Sequence, residues 1–386
     1  MEIKHLTSLR EFIDIEEEYD SLLSKSNGKF VYVTPDYLIP WLTTIGKGLP
    51  LDIITMRKQG ELVSLCVMVE SPDWLEKRRT VFEMAGRGLW GYSMMASIPR
   101  YDDIIIPTMV SEIIKTNRTD TIEIGPYITK FQVKLAMMGV KSNLFSIQAA
   151  RFIQLGGCPI IQFRNGAGSW DNFTENLNSQ HSVLKKLKTS TRNLEKLGKI
   201  EYLFLEPKSS MDAVITTVTS MIDMHTKEWG VKSRFVKRPI WKDLYIDFAY
   251  RASQKGFLDF TMLILNDEPI AYHYGFLHNS TLYYFTPTYD TDYSRYSPGS
   301  ILMYRLINRA YSNLAEFDFQ NEVEPYKTTW ATGMYERAAL RILSEKRLIE
   351  VTVLGRQAPG HQMRIVPEEK RKVTQIGGID VHSEIS

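Results

Sequence analysis

The residues best suited to chemistry lie between Thr281 and Trp330. An apolar stretch, Leu282-Tyr283-Tyr284-Phe285, reads as a strand, and the loop after it ends in Ser297-Pro298-Gly299-Ser300. Beyond that loop Met303, Leu306, Ile307, Ala310 and Leu314 recur at helical spacing. A helix beginning there has N–H groups with no partner inside the helix and the positive end of the macrodipole. Phosphate binds such an end. Gly299 lets a ligand approach the backbone, and Ser300 can cap the helix or donate to an anion. Pro-Gly-Ser is also common turn chemistry, so an ordinary strand-to-helix connection stays open. A second strand, Glu316-Phe317-Asp318-Phe319, leads on to Pro325-Tyr326-Lys327.

Several side chains nearby could move protons. Asp318 could accept one, or could simply satisfy backbone donors. Tyr326 could donate a hydrogen bond or act as a general acid, or pack half-buried. His225 stands one helical turn before Trp229 and could serve as a base facing a cleft, since imidazole titrates near neutral pH. A hydrogen-bonded core histidine is the alternative, and the same pair of readings holds for His273. Asp102 and Asp103, ahead of Ile104-Ile105-Ile106 read as an apolar strand, mark an acceptor groove or a turn. No Gly-x-Ser-x-Gly elbow, His-Glu-x-x-His helix or Walker loop occurs, which argues against serine hydrolases, zinc proteases of that type and P-loop enzymes.

The elements that must position these residues fall into two similar series. The first has an amphipathic helix around Ser8 to Ser24 and a hairpin, Leu51 to Met56 and Leu62 to Val69, turned by Lys58-Gln59-Gly60. A strand at Thr80 to Met84, a glycine-rich aromatic loop from Ala85 to Arg100, a helix from Met109 to Lys115 and the strand Thr121-Ile122-Glu123-Ile124 follow. The second has strands at Phe257 to Leu265, Pro269 to Phe276 and Thr281 to Phe285, then loop, helix and strand. The expected fold is α+β, two tandem units of mixed, mostly antiparallel sheet flanked by helices, with domains over 1–160 and 161–345 and an extension, partly disordered, over 346–386. Between the series, Trp170 to Gly198 reads as helical, with Lys185, Lys186, Lys188, Arg192, Lys196 and Lys199 set among Val183, Leu184, Leu187, Leu194 and Leu197. That is a solvated basic face, or the lining of a cleft for an acidic or phosphorylated substrate.

Composition narrows the class. The chain has 386 residues, is 44% hydrophobic and balances 47 Lys and Arg against 45 Asp and Glu for a net charge of +2. It is globular rather than a strongly basic nucleic-acid binder. Cys66 and Cys158 lack metal-ligand spacing and imply no disulfide framework, and no metal site is expected. The charged amino terminus has no signal-peptide core and no run is long enough to span a bilayer, so the expectation is a cytoplasmic protein.

The run from Tyr289 to Trp330, with Asp290, Tyr293, Ser297-Pro298-Gly299, Asp318-Phe319 and Tyr326-Lys327-Thr328-Thr329-Trp330, resembles the CelD/BcsL-type acetyltransferase-like proteins, relatives of the Fem aminoacyl transferases. Weaker similarity over roughly residues 15 to 345 includes Trp41, Tyr101-Asp102-Asp103, Cys158-Pro159 and the basic stretch around Lys185 to Leu197. The resemblance implies two acetyltransferase-like (GNAT) domains and transfer of an acyl group from acyl-CoA, acetyl-CoA above all, to an amine on a sugar or cell-envelope precursor. It implies that Ser297 to Leu302, that is Ser297, Pro298, Gly299, Ser300, Ile301 and Leu302, cradle the donor pyrophosphate, and that Lys327 stabilises charge near the reacting centre. A surface lysine paired with Glu322 or Glu324 is the other reading of Lys327.

Family members tend to carry glycines after the Asp-Phe pair, where this chain reads Gln320-Asn321-Glu322-Val323-Glu324. Glu322 and Glu324 could contact the acceptor amine instead, alongside Asp102, Asp103 and Trp229. The implied mechanism is direct attack in a ternary complex, for which positioning alone can supply about 7–11 kcal/mol. Two other functions remain open from the sequence: a Fem-type transferase using aminoacyl-tRNA, and a non-catalytic pair of domains binding a nucleotide sugar or a protein partner.

Overall fold

The computed structural model describes residues 1–344 apart from 27–29, 74–78, 87–91, 93–94, 117–118, 120, 128–129, 143–146 and 164–169. The extension expected over 346–386 and part of the glycine-rich stretch from Ala85 to Arg100 lie outside the described residues.

Strand β1 (Glu2–Leu6) precedes a capping box, in which the Ser8 hydroxyl accepts from the Glu11 amide and the Glu11 carboxylate accepts from the Ser8 amide. The single helix expected over Ser8 to Ser24 is two, α1 (Leu9–Asp14) and α2 (Glu16–Lys25), separated at Ile15. Helix α3 (Pro35–Thr43) starts on Pro35, whose fixed φ suits a first helical position. The expected hairpin is β2 (Leu51–Lys58) with β3 (Glu61–Pro72), turned through left-handed Gln59 and Gly60 at φ 51° and 84°. Then come β4 (Thr80–Met84), β5 (Ala96–Ser97), α4 (Asp102–Thr116), β6 (Thr121–Tyr127), α5 (Lys130–Lys141) and β7 (Ile147–Gln162). The strand read at Asp102 to Ile106 is therefore the first turn of α4. Ile105 and Ile106 face the core from a helix, and two carboxylates suit its N-terminal end.

The basic segment is α6 (Trp170–His181) and α7 (Val183–Glu195), parted at left-handed Ser182. On α7 Leu184, Leu187 and Leu194 are buried while Lys185, Lys186, Lys188 and Arg192 are exposed, as the apolar stripe requires. The rest of the chain is β8 (Ile200–Phe204), α8 (Met211–Trp229), α9 (Arg234–Lys237), α10 (Ile240–Gln254), β9 (Leu258–Leu265), β10 (Glu268–His278) and β11 (Thr281–Tyr289). Helix α11 (Pro298–Asn313), β12 (Glu316–Asp318), α12 (Pro325–Trp330) and β13 (Gly333–Ser344) complete it.

All strands but β5 lie on one sheet path, β1-β2-β3-β4-β6-β13-β7-β12-β11-β10-β9-β8. The two flanks repeat one pattern. Each has three antiparallel pairings followed by one parallel pair, β4 with β6 and β11 with β12. This is the expected α+β architecture of two tandem units. The centre is an exchange: β13, reached after the second unit, inserts between β6 and β7, while β7, reached after the first, pairs with β12. One core cluster covers the first unit, α8, α10 and a face of β9–β11; the other joins α6, α7 and α11 to the opposite face. Among the described residues no helix is long and apolar enough to cross a membrane.

Candidate active site

Strands β11 and β12 run parallel for only three residues each, Thr281–Tyr283 beside Glu316–Asp318. Past that point β11 continues against β10 to Tyr289, whereas the Phe319 amide turns to the Pro159 carbonyl of β7 at 3.0 Å. The strands part and leave the β11 edge from Tyr284 onward facing a wedge. Gln320 to Glu324 and α12 form its other side.

Helix α11 opens beside this wedge. Ser297 is left-handed at φ 54°, and its carbonyl accepts from the amides of Ser300 and Ile301 at 3.0 and 3.1 Å. Pro298 has no N–H, which leaves the Gly299 amide as the first-turn donor with no acceptor among the described residues. Ile301 and Leu302 are buried in the core, and the Ile301 amide is already bonded to the Ser297 carbonyl. A cavity of about 230 Å³ at this end is lined by Ser297, by Ser300 and Met303 of α11, by Lys186 and Ser190 of α7, and by Tyr326 and Trp330 of α12. The anion-shaped turn, the basic helix and the Tyr-Lys segment, far apart in the sequence, meet here.

Lys327 is a buried lysine. Its Nζ donates to the Asn321 carbonyl at 2.5 Å and pairs with Glu324 at 3.2 Å, one helical turn away. Tyr326 lies on α12; desolvation and neighbouring Tyr284 and Glu324 push its hydroxyl well above the usual phenol range, so it is a hydrogen-bond donor rather than a ready acid. Asp318 is fully buried, and its Oδ1 accepts from the Gln320 amide at 2.7 Å. Its charge is felt by the phenols of Tyr32, Tyr92 and Tyr283, all held protonated chiefly by burial. Glu322 is exposed and left-handed at φ 76°.

His225, Asp102 and Asp103 do not line this cavity. His225 is buried on α8, hydrogen-bonded through Nδ1 to Ser233 at 3.1 Å and stacked on Trp229 at 6.0 Å between ring centroids. Desolvation, helped by Arg234, lowers it to about 4, so it is a neutral ring. Trp229 is half exposed at the end of α8. His273 is buried against the Tyr284 ring at 4.9 Å, with Asp259 at 3.5 Å. Asp102 accepts from the Ser97 hydroxyl at 2.5 Å in the first turn of α4, the helix that in the first unit stands where α11 stands in the second. An acidic first turn there repels phosphate.

Sequence reasoning missed Tyr32. It enters from the first unit, stacks on Phe285 at 5.7 Å and donates from its hydroxyl to Gln320 Oε1 at 2.7 Å. No local pattern points to it, because the contact spans 288 positions.

Comparison with known proteins bears on the fold that carries this cavity. Residues 181–328, from α7 through the Tyr-Lys pair, match the family described as acetyltransferase (GNAT) domain. The match agrees with the N-acyltransferase class expected from the sequence. Solved structures resemble the whole fold. FemX shares 12% identity at a TM-score of 0.59, covering 91% of this chain and 99% of its own. L-PGS from Bacillus licheniformis shares 11% at 0.52, covering 90% and 97%. The C-terminal domain of a putative lysylphosphatidylglycerol synthetase from Agrobacterium fabrum shares 9% at 0.51, covering 89% and 96%. No curated protein sequence matches. The matched residues include Lys186, Ser190, Ser297, Ser300, Met303 and Tyr326 of the cavity together with Lys327, whereas Trp330 and Tyr32 lie outside them.

Proposed function

We propose that the protein transfers an acyl group from acyl-CoA, bound at the second unit, to an amino group on a sugar or cell-envelope precursor. The carrying observation is the cavity in which the α11 N-terminus, Lys186 and Tyr326 converge beside the parted strands. The Ser190, Ser297 and Ser300 hydroxyls and Lys186 suit a pyrophosphate, and the apolar walls of Leu187, Met303 and Trp330 suit the thin organic remainder of such a donor. The acidic start of α4 disfavours a second donor site in the first unit, which leaves that unit to the acceptor.

In the reaction the amine nitrogen bonds to the thioester carbonyl carbon, the C–S bond breaks, and the amine proton ends on the released coenzyme thiol. Lys327 supplies positive charge near the reacting centre, and Tyr326 donates a hydrogen bond. The exposed cations of α7 support a second donor, an aminoacyl-tRNA, whose phosphates they would contact.

Calorimetric titration separates the two. Acetyl-CoA and coenzyme A are expected to bind wild type and to lose affinity in Gly299→Trp, whose indole adds bulk at the first turn of α11; an added Cβ alone meets only the Tyr289 ring, at 3.4 Å. A protein that ignores both and instead binds charged tRNA with steep salt dependence overturns the acyl-CoA reading.

A further inference from the structure

Gln320 carries three costs at once. It is 1% exposed and stands at φ 63°, where the backbone favours glycine. Its Nε2 also has no hydrogen-bond acceptor among the described residues. A buried amide donor without a partner gives up its bond to water for nothing, and natural proteins seldom tolerate one without use for it. A glycine would remove all three costs. The side chain is nevertheless held in place: Tyr32 donates to Oε1 at 2.7 Å, which leaves the amide N–H groups free to donate elsewhere. Burial and the Asp318 carboxylate keep the Tyr32 phenol protonated, so it stays the donor in that bond.

The place is equally specific. Gln320 is two residues past Asp318, the last residue of β12 paired with β11, so it stands where the strands part. The next residue, Asn321, accepts from Lys327. We infer that Gln320 is a catalytic residue whose Nε2–H donates to the carbonyl oxygen of the transferred acyl group, with Tyr32 of the first unit as its positioning residue. This rests on the acyl-CoA reading above. As the amine attacks, the carbonyl π pair moves onto that oxygen and the bond from Nε2 strengthens; collapse re-forms the carbonyl and expels the coenzyme sulfur, which takes up the amine's proton. The residue that replaces a family glycine is on this account a functional gain and not an obstruction.

The test is infrared difference spectroscopy of acetyl-CoA labelled with ¹³C at the carbonyl, bound to the full chain, with coenzyme A titrated in parallel. Wild type is expected to shift the bound thioester stretch to lower frequency than in free acetyl-CoA. Gln320→Leu and Gln320→Gly should abolish the shift while coenzyme A affinity stays at the wild-type level. Gln320→Gly relieves the left-handed backbone, so loss of the shift there is not a folding failure. Tyr32→Phe should reduce the shift, and Tyr32→Phe with Gln320→Gly should behave as Gln320→Gly alone. An unshifted band in wild type, or a shift that survives in both Gln320 variants, overturns the inference with the donor site intact. Failure of wild type to bind either coenzyme A species removes the acyl-CoA reading and this inference together.

Discussion

A buried ammonium is expensive to desolvate unless groups around it are fixed. Lys327 has two, the Asn321 carbonyl and the Glu324 carboxylate, both within its own loop and helix. That fixes Nζ at the Asn321 carbonyl, one residue past Gln320, and not among the residues that line the cavity. Lys327→Ala should therefore lower kcat by about 100-fold, the scale of a lost charge-stabilising donor, and leave acetyl-CoA affinity nearly unchanged. Steady-state kinetics alongside calorimetry checks this, and unchanged turnover removes Lys327 from the site. His225 makes the opposite case. Its folded value of about 4 lies below the ordinary 6.5, so between those limits the unfolded chain binds a proton the native one refuses. Stability from the neutral ring is complete above pH 6.5 and is lost as pH falls toward 4, a difference on the order of 3 kcal/mol. Urea unfolding from pH 7 to 4 should show wild type losing that much more than His225→Gln. Equal losses would mean the ring is solvated.

Elements explain what could and could not be read from the chain. The hairpins, the α11 stripe and the basic face of α7 follow from local periodicity and turn chemistry, and each stands where its pattern puts it. Asp102 to Ile106 misled because three isoleucines in a row fit a buried strand or one turn of a buried helix equally well. The exchange of β7 and β13 was illegible: nothing local tells a strand that its neighbours lie more than 150 residues away. Tyr32 was hidden for the same reason, whereas Gln320 was visible only as a missing glycine. The exchanged strand carries its own anchor. Arg341 of β13 is 1% exposed and pairs with Asp73 and, at 2.9 Å, with Glu123 of β6. Arg341→Met leaves both buried carboxylates without that guanidinium and should cost about 3–5 kcal/mol by chemical denaturation. A cost below about 1 kcal/mol, the value of a surface pair, would show that β13 is not held by this triad.

At the scale of the molecule, two units that share their central strands cannot come apart without breaking the sheet. Side chains reinforce the tie. Arg251 on α10 reaches Glu16 at 2.5 Å and Asp36 at 3.3 Å, and Lys255 reaches Asp20 at 2.7 Å and Asp36 at 3.1 Å. Asp36 is 2% exposed on α3, and desolvation holds its carboxyl above the usual range even with Lys255 and Arg251 beside it. The ring of Tyr37 meets Phe248 edge-on at 5.1 Å across the same boundary. A site that takes Gln320 from one unit and Tyr32 from the other needs this rigidity, because a hydrogen bond tolerates only a few tenths of an ångström. Unfolding in guanidinium should then be a single transition, with circular dichroism and tryptophan fluorescence coincident. Arg251→Ala with Lys255→Ala should move the midpoint down by the equivalent of about 3 kcal/mol without dividing it, since the shared strands still couple the units. Two resolved transitions in wild type would mean that each unit keeps its own core, and the catalytic contact between Tyr32 and Gln320 would then open with the boundary.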